Sequence, residues 1–201
     1  MKRLTFAFAL LALLAAPAWS VSLDVIGAAA FTGNFGLRVT IDDTANGFVQ
    51  DDSPNSETVY RATFKVRNNL TQVNGSAHNF FRARMPGQPI FLAQAVRDFG
   101  GNYVVYAVAY NDAGAVAGTF ATFLNLNNEL TFEWAAASAP GANDGIFRMY
   151  KGANLRGEIT NLDNDTHAVD TVQMGAFGGV DGTTTGTMDF DDFESFRTML
   201  P

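Results

Sequence analysis

The strongest constraint on the fold of this chain is a regular alternation of apolar and polar residues. Residues 60–67 alternate without interruption, with the side chains of Tyr60, Ala62, Phe64 and Val66 on the apolar positions. Residues 37–42 and 129–134 show the same pattern. Because successive side chains of a strand point to opposite faces of a sheet, each segment predicts a strand with one buried face and one solvated face.

Short turn sequences separate these segments. Asn-Gly at 46–47, Gly-Gly at 100–101 and Asn-Asp-Gly at 143–145 supply residues that tolerate the positive φ angles of tight turns. Residues 103–110 are apolar on both faces, which predicts a strand at the centre of a sheet. With about a dozen short strands and no long helix, the pattern predicts an all-β fold, a two-sheet antiparallel β-sandwich or jelly roll.

The first 20 residues have the organisation of a secretory signal peptide. Lys2 and Arg3 precede an apolar run over residues 4–16, and the small residues Ala18 and Ser20 follow it. The run is shorter than the roughly 20 residues that a membrane-spanning helix needs. We therefore expect residues 1–20 to be removed, with cleavage after Ser20 or after Ala18. The remainder, 21–201, is expected to form a single exported domain, periplasmic or extracellular.

The composition narrows the classes of partner. The chain has 20 acidic and 13 basic residues, a net charge of −7, and no cysteine. An acidic domain is a poor match for nucleic acid, whose phosphates require clustered positive charge, and for anionic lipid. We expect no membrane insertion after cleavage. A glycan, a cationic partner or calcium remains compatible with this charge, and the sequence leaves the oligomeric state open.

Four stretches, read in order, resemble a known superfamily. They are residues 35–39 (FGLRV), 51–64 with its Asp-Asp-Ser-Pro start, 133–152 with the strand IFRMYKG, and 170–197 with the closing FDDF. This order resembles the concanavalin A-like lectin/glucanase superfamily, and more narrowly the laminin-G-type jelly rolls of secreted bacterial proteins. Lys151 stands where the corresponding strand usually carries Asp. The resemblance implies a two-sheet jelly roll, and it leaves function open because lectins, hydrolases, lyases and adhesion modules share this fold.

The acidic closing segment has a catalytic interpretation. Asp189, Asp191 and Glu194 fall at a spacing that resembles the paired carboxylates of the superfamily's glucanases, in which one acts as nucleophile and another as acid/base. The alternative is a structural strand in which Phe190 and Phe193 pack inward. Those two positions have opposite parity, so the structural interpretation requires a β-bulge between them.

A structural calcium ion is the third interpretation of this segment, with Asp191 or Asp192 as ligand. The acidic loop at 161–165 offers a further calcium alternative. A zinc site is disfavoured, because the two histidines, His78 and His167, lie far apart in polar segments that we expect to be loops. No cofactor beyond this calcium alternative is predicted.

Aromatic and acidic residues on the strands suggest a ligand surface. Tyr106 and Tyr150, with Glu133 beside them, are candidates for sugar stacking and hydrogen bonding on one sheet. Phe132 and Trp134 share the parity of the apolar face and are expected in the core. The leading hypothesis is an exported, non-catalytic binding or adhesion module with a glycan ligand. The alternatives are a structural envelope or surface component without a small ligand, and a glycan-active hydrolase or lyase.

Overall fold

The computed structural model describes residues 21–124 and 126–201 and confirms the all-β prediction. The predicted signal peptide, residues 1–20, lies outside the described residues. One turn of 3₁₀ helix follows the first strand, at Gly27–Ala29. The strands are β1 (Ser22–Ile26), β2 (Gly36–Ile41), β3 (Gly47–Asp51), β4 (Val59–Thr71), β5 (Ala77–Met85), β6 (Gln88–Arg97), β7 (Tyr103–Tyr110), β8 (Val116–Phe123), β9 (Asn127–Ala135), β10 (Gly145–Lys151), β11 (Asn154–Leu162), β12 (Thr171–Phe177) and β13 (Thr185–Phe196).

The strands form two antiparallel sheets packed face to face as a jelly-roll sandwich. The seven-stranded sheet has the order β1-β2-β13-β4-β9-β10-β11, and the six-stranded sheet has the order β3-β12-β5-β6-β7-β8. The closing strand β13 pairs with both β2 and β4, so residues from the two ends of the domain meet in one sheet. Among the described residues, no helix is long and apolar enough to cross a membrane.

Two details differ from the sequence-based expectation. Strand β7, predicted at the centre of a sheet, lies second from the edge, between β6 and β8. Its outward-facing Val104 and Val108 are nonetheless only 8 % exposed, which explains its apolar character on both faces. The edge strands β1 and β3 were not predicted, because they are five residues long and present mixed or exposed side chains.

The inward faces of the two sheets build a core dominated by phenylalanine. Phe64, Phe132 and Trp134 have no exposed surface, which confirms their prediction as core residues. The ring of Phe81, from the opposite sheet, lies 4.8 Å from that of Phe64 and 5.4 Å from that of Phe132. Aromatic rings at these separations contribute beyond their buried area, so this cluster joins the two sheets.

The closing strand contains the bulge that its phenylalanine spacing required. The pairing of β13 with β4 shifts register between Asp191 and Glu194, and Asp192 has a φ of 53°. Phe190 is buried before the bulge, and Phe193 remains partly exposed after it, 6.5 Å from the ring of Phe81. The bulge therefore allows both rings to face the space between the sheets.

One of the two histidines is not in a loop, contrary to the sequence-based expectation, whereas His167 lies in the loop between β11 and β12, and both side chains are buried. His78 lies on β5 and has no exposed surface, and His167 is 1 % exposed. The amide of Gln72 lies 3.3 Å from Nδ1 of His78. Alternation explains the error for His78, because it faces the same side of β5 as Phe80.

Candidate functional site

The outward face of the six-stranded sheet carries a cluster of polar side chains that we call the Arg82 face. Four of its members each sit between two core residues along their strand, so their side chains point away from the core. Arg82, for example, lies between Phe81 and Ala83. The members of the Arg82 face are Gln50, Asn79, Arg82, Gln94, Tyr106 and Gln173.

One row of the face is a hydrogen-bonded ladder across three strands. Gln50 lies opposite Gln173, and Gln173 lies opposite Arg82. Arg82 Nε donates to Gln173 Oε1, and Gln173 Nε2 donates to Gln50 Oε1. Gln173 is only 2 % exposed. The ladder therefore fixes the position of the arginine from one side.

An aromatic ring holds the same arginine from another side. The Arg82 guanidinium carbon lies 4.6 Å from the centre of the Phe177 ring, and that ring packs edge-on against Phe48 at 5.7 Å. Burial, together with the charge of Arg84, lowers the pKa of Arg82. The guanidinium remains charged at neutral pH, because the ordinary pKa of arginine lies far above 7.

The remaining donors of Arg82 have no partner in the described part of the chain. The bond to Gln173 uses Nε, and neither Nη atom donates a hydrogen bond to any described residue. The two Nη groups carry four of the five N–H donors of a guanidinium. A half-buried, positioned guanidinium with these donors available is suited to an anion with two oxygens, such as a carboxylate or sulfate.

A second row adds an aromatic and two amides. Asn79 lies opposite Gln94, and Gln94 lies opposite Tyr106. Gln94 Nε2 donates to Asn79 Oδ1 at 2.9 Å. Tyr106 is 38 % exposed. The face therefore combines a cation, amide groups and an exposed aromatic ring, which are the groups that bind oligosaccharides.

Of the three predicted ligand-binding residues, Tyr106 alone lies on the Arg82 face. Glu133 and Tyr150 lie on the seven-stranded sheet, on the far side of the sandwich. Glu133 has no exposed surface, because the C-terminal segment covers it and Leu200 donates its backbone N–H to Glu133 Oε1. Burial and the charge of Glu133 raise the pKa of Tyr150. The structure thus brings Glu133 and Tyr150 together, separately from Tyr106.

Asp189 of the acidic closing segment is a fully buried ion-pair partner. Arg38 donates to both of its oxygens, from Nε at 2.7 Å and from Nη2 at 2.8 Å. Arg67 Nη1 donates to Asp189 Oδ2 at 3.2 Å, and its guanidinium stacks on Phe31 at 4.5 Å. This carboxylate joins β2, β13 and β4 on the outer face of the seven-stranded sheet.

Asp191 and Asp192 bind the segment that follows the 3₁₀ turn. Asp191 accepts the backbone N–H groups of Phe31 and Thr32, and Asp192 accepts from the Thr32 hydroxyl and from Lys65 Nζ at 2.7 Å. Burial opposes ionisation of Asp191, but the backbone donors of Thr32 and Phe31 lower its pKa. The bond from Lys65 lowers the pKa of Asp192. Calcium at this pair stays a prediction, and Lys65 places an ammonium group beside one of the two expected ligands.

Glu194 lies beyond the bulge, in different surroundings from Asp189 and Asp191. It is exposed and lines a polar depression of about 370 Å³ together with Glu129, Asp192 and Lys65. The three carboxylates of the catalytic interpretation therefore lie in three different surroundings. Asp189 is in a buried ion pair, Asp191 accepts backbone N–H groups, and Glu194 lines an open depression.

The acidic loop at 161–165 meets the β7–β8 turn. Carboxylate oxygens of Asp112, Asp163 and Asp165 lie within 4.8 Å of one another. Desolvation and the neighbouring Asp112 raise the pKa of Asp165. Asp112 also accepts hydrogen bonds from the backbone N–H and the hydroxyl of Thr166, so it stabilises the loop itself.

Comparisons with known proteins identify the fold. No family model matches the chain, and no curated protein matches its sequence. Among solved structures, an endo-β-1,4-glucuronan lyase from the fungus Trichoderma reesei is similar, with a TM-score of 0.63 and 13 % identity over 87 % of this chain and 86 % of that one. An alginate lyase variant in complex with an alginate tetrasaccharide gives a TM-score of 0.58 and 12 % identity, over 85 % of this chain and 84 % of that one.

The binding domain of botulinum neurotoxin serotype C1 is also similar, with a TM-score of 0.61 and 12 % identity. The match covers 90 % of this chain but 44 % of that domain, so this chain corresponds to less than half of it. Identities this low establish the fold and not the activity. From its strand order, its two packed sheets and these neighbours, the chain is a two-sheet jelly-roll β-sandwich.

Proposed function

We propose that this protein is an exported glycan-binding module that recognises an acidic polysaccharide on the Arg82 face. The observation that carries the proposal is the Arg82 guanidinium itself. Gln173 and Phe177 position it, and its Nη donors have no partner in the described chain. Holding a charged group half-buried is costly unless a counter-ion completes the site, and a uronate carboxylate supplies the matching pair of oxygens.

The rest of the face fits a sugar chain. Tyr106 offers an aromatic ring for a pyranose, and Gln94, directly opposite it, offers an amide group for hydroxyls. The neighbouring cross-strand pair, Leu92 and Val108, forms an apolar floor beside them. Two of the structurally similar proteins are named for acidic polysaccharides, glucuronan and alginate, which supports a ligand of this class. The net charge of −7 makes a dedicated cation more necessary for an anionic ligand.

Calorimetric titration with matched oligosaccharides tests the proposal. We expect oligosaccharides of alginate or glucuronan to bind, and a neutral β-glucan oligosaccharide of the same length to bind at least tenfold more weakly. Equal affinity for acidic and neutral chains would contradict recognition through Arg82. Absence of binding to every glycan tested would favour the structural-component alternative.

A lyase is the second candidate function, favoured by the position of Tyr106. Elimination from a uronate requires a group that stabilises the carboxylate and a group that removes the proton beside it. Arg82 and Gln94 would bind the carboxylate, and Tyr106 Oη would accept the proton and pass it to the departing glycosidic oxygen as the C–O bond breaks and the C=C bond forms. Incubation with polymeric substrate, followed by ultraviolet detection of unsaturated ends, separates the two candidates. The binding-module proposal predicts no product; product that disappears in Tyr106→Phe would establish the lyase.

A further inference from the structure

A cavity of about 350 Å³ opens at one edge of the sandwich, where β1, β2 and β13 of one sheet face β3 and β12 of the other. Leu37 and Phe190 form its wall on the seven-stranded sheet, and Val172 and Met174 form its wall on the six-stranded sheet. The cavity lies in the same inter-sheet layer as the core. It is therefore an apolar slot that the chain's own side chains leave unfilled.

Apolar side chains also surround the mouth of this cavity. Val25 on β1 is 70 % exposed, Val49 on β3 is 42 % exposed, and Phe35 and Phe193 are exposed beside them. Contiguous exposed apolar surface is uncommon on soluble proteins and marks a binding site more often than a free surface. The slot and its rim together form one apolar surface that extends from solvent into the core layer.

Negative charge is placed at the same opening. Asp51, Asp191 and Asp192 line the cavity. The latter two are hydrogen-bonded to the 31–32 segment and to Lys65. Asp51 is half-buried, and within the described residues its Oδ1 accepts the backbone N–H of Ser53 alone. A carboxylate at the entrance to an apolar slot disfavours a ligand with an anionic group at that position and favours a ligand with a cationic group there.

We propose that this cavity binds the alkyl chain of an amphiphile with a cationic head group, the chain between the sheets and the head at Asp51. Because water occupies roughly 30 Å³ per molecule, the volume accommodates roughly ten non-hydrogen atoms, which corresponds to a decyl chain. The site shares strand β3 with the Arg82 face, but the proposal is independent of glycan binding.

Calorimetry with decyltrimethylammonium, below its micelle concentration, tests the proposal. We expect binding at one site, loss of roughly tenfold in affinity on shortening the chain to octyl, and no binding of tetramethylammonium. Decanoate has the same chain with an anionic head and should bind at least tenfold more weakly. Binding at many sites, or equal binding of decanoate, would overturn the proposal.

Variants separate the cavity from general attraction to an acidic protein. Val49→Trp should fill the mouth and abolish binding, whereas Val116→Trp, at a similarly exposed valine on the opposite edge of the same sheet, should leave it unchanged. Asp51→Asn should weaken the binding of the cationic ligand. Asp52→Asn, which removes the same charge outside the cavity, should leave the binding unchanged. If Val49→Trp fails to fold by circular dichroism, Val25→Trp takes its place.

Two results would overturn the assignment. The first is undiminished binding in a folded Val49→Trp protein. The second is a homodimer, measured by sedimentation velocity, that Val49→Trp dissociates, because the apolar mouth would then be covered by a second copy of the chain.

Discussion

The carboxylate of Asp191 accepts the backbone N–H of Phe31 at 2.7 Å, joining the closing strand to a segment 160 residues earlier in the chain. The same oxygen accepts the N–H of Thr32 at 3.0 Å. This contact gives the FDDF segment a structural role. Its bulge presents the consecutive carboxylates of Asp191 and Asp192 to the loop that covers Arg67 and Asp189.

Removal of this contact should destabilise the domain. Hydrogen bonds to a charged group contribute roughly 1.5–3 kcal/mol, so we expect Asp191→Ala to lower the free energy of unfolding by about 2 kcal/mol, measured by urea denaturation. Glu194→Ala, at an exposed position on the same strand, is the control and should change it by less than about 0.5 kcal/mol. Equal effects of the two substitutions would argue against the anchoring role.

Trp134 should be among the most costly residues to truncate. It is fully buried in the core layer on β9, opposite Tyr60 of β4 and Phe147 of β10. Trp134→Ala should therefore cost roughly 3–5 kcal/mol of unfolding free energy. A loss below about 1 kcal/mol would be incompatible with a buried indole.

His78 should make the domain sensitive to mild acid. Burial lowers its pKa to about 4, against an ordinary value of 6.5, while the charge of Asp181 acts in the opposite direction. Between these two values the unfolded chain binds a proton that the folded chain does not. The contribution of His78 to the free energy of unfolding is therefore fully present above about pH 6.5. It decreases as the pH falls towards 4, by about 2 kcal/mol at pH 5.

The variant His78→Gln isolates this effect. It retains a polar group beside Gln72 but does not titrate, and His167 and the carboxylates are unchanged. The unfolding free energy of the wild type should fall between pH 7.5 and pH 5 by about 2 kcal/mol more than that of the variant. Parallel pH profiles would show that His78 is not the responsible group.

Export makes a prediction about the mature protein. Cleavage after Ser20 or Ala18 gives a chain that begins at Val21 or Trp19. Intact-mass spectrometry of the protein recovered outside the cytoplasm should find one of these two masses. A membrane-bound chain that retains Lys2 would contradict the prediction.

The sequence predicts most of the sandwich, because strand alternation is a local property. The period of two over 60–67 and 129–134 places Phe64 and Trp134 inward without any knowledge of their partners. Edge strands such as β1 escape prediction, because one weakly buried face leaves little alternation to detect. The position of Glu133 shows the same limit: its outward parity is correct, yet the C-terminal segment buries it.

The Arg82 face could not be predicted from the sequence, because its members lie far apart in the chain. Arg82 and Gln173, for example, are separated by 91 residues. Cross-strand register, a non-local property, brings them together. A local signal was nevertheless present. Gln94 and Gln173 are single polar residues within apolar runs, a pattern that indicates an outward face with a specific task.

The affinity of an acidic oligosaccharide for Arg82→Ala, compared with Arg156→Ala, is the measurement that tests the central claim most directly. Both variants remove one positive charge, but Arg156 is exposed on β11 of the other sheet. Loss of a charge-assisted bidentate contact should weaken binding at least tenfold in Arg82→Ala. Arg156→Ala should remain within about twofold of the wild type, because an exposed charge on the opposite sheet is screened by salt. Equal affinities for the two variants would contradict recognition on the Arg82 face.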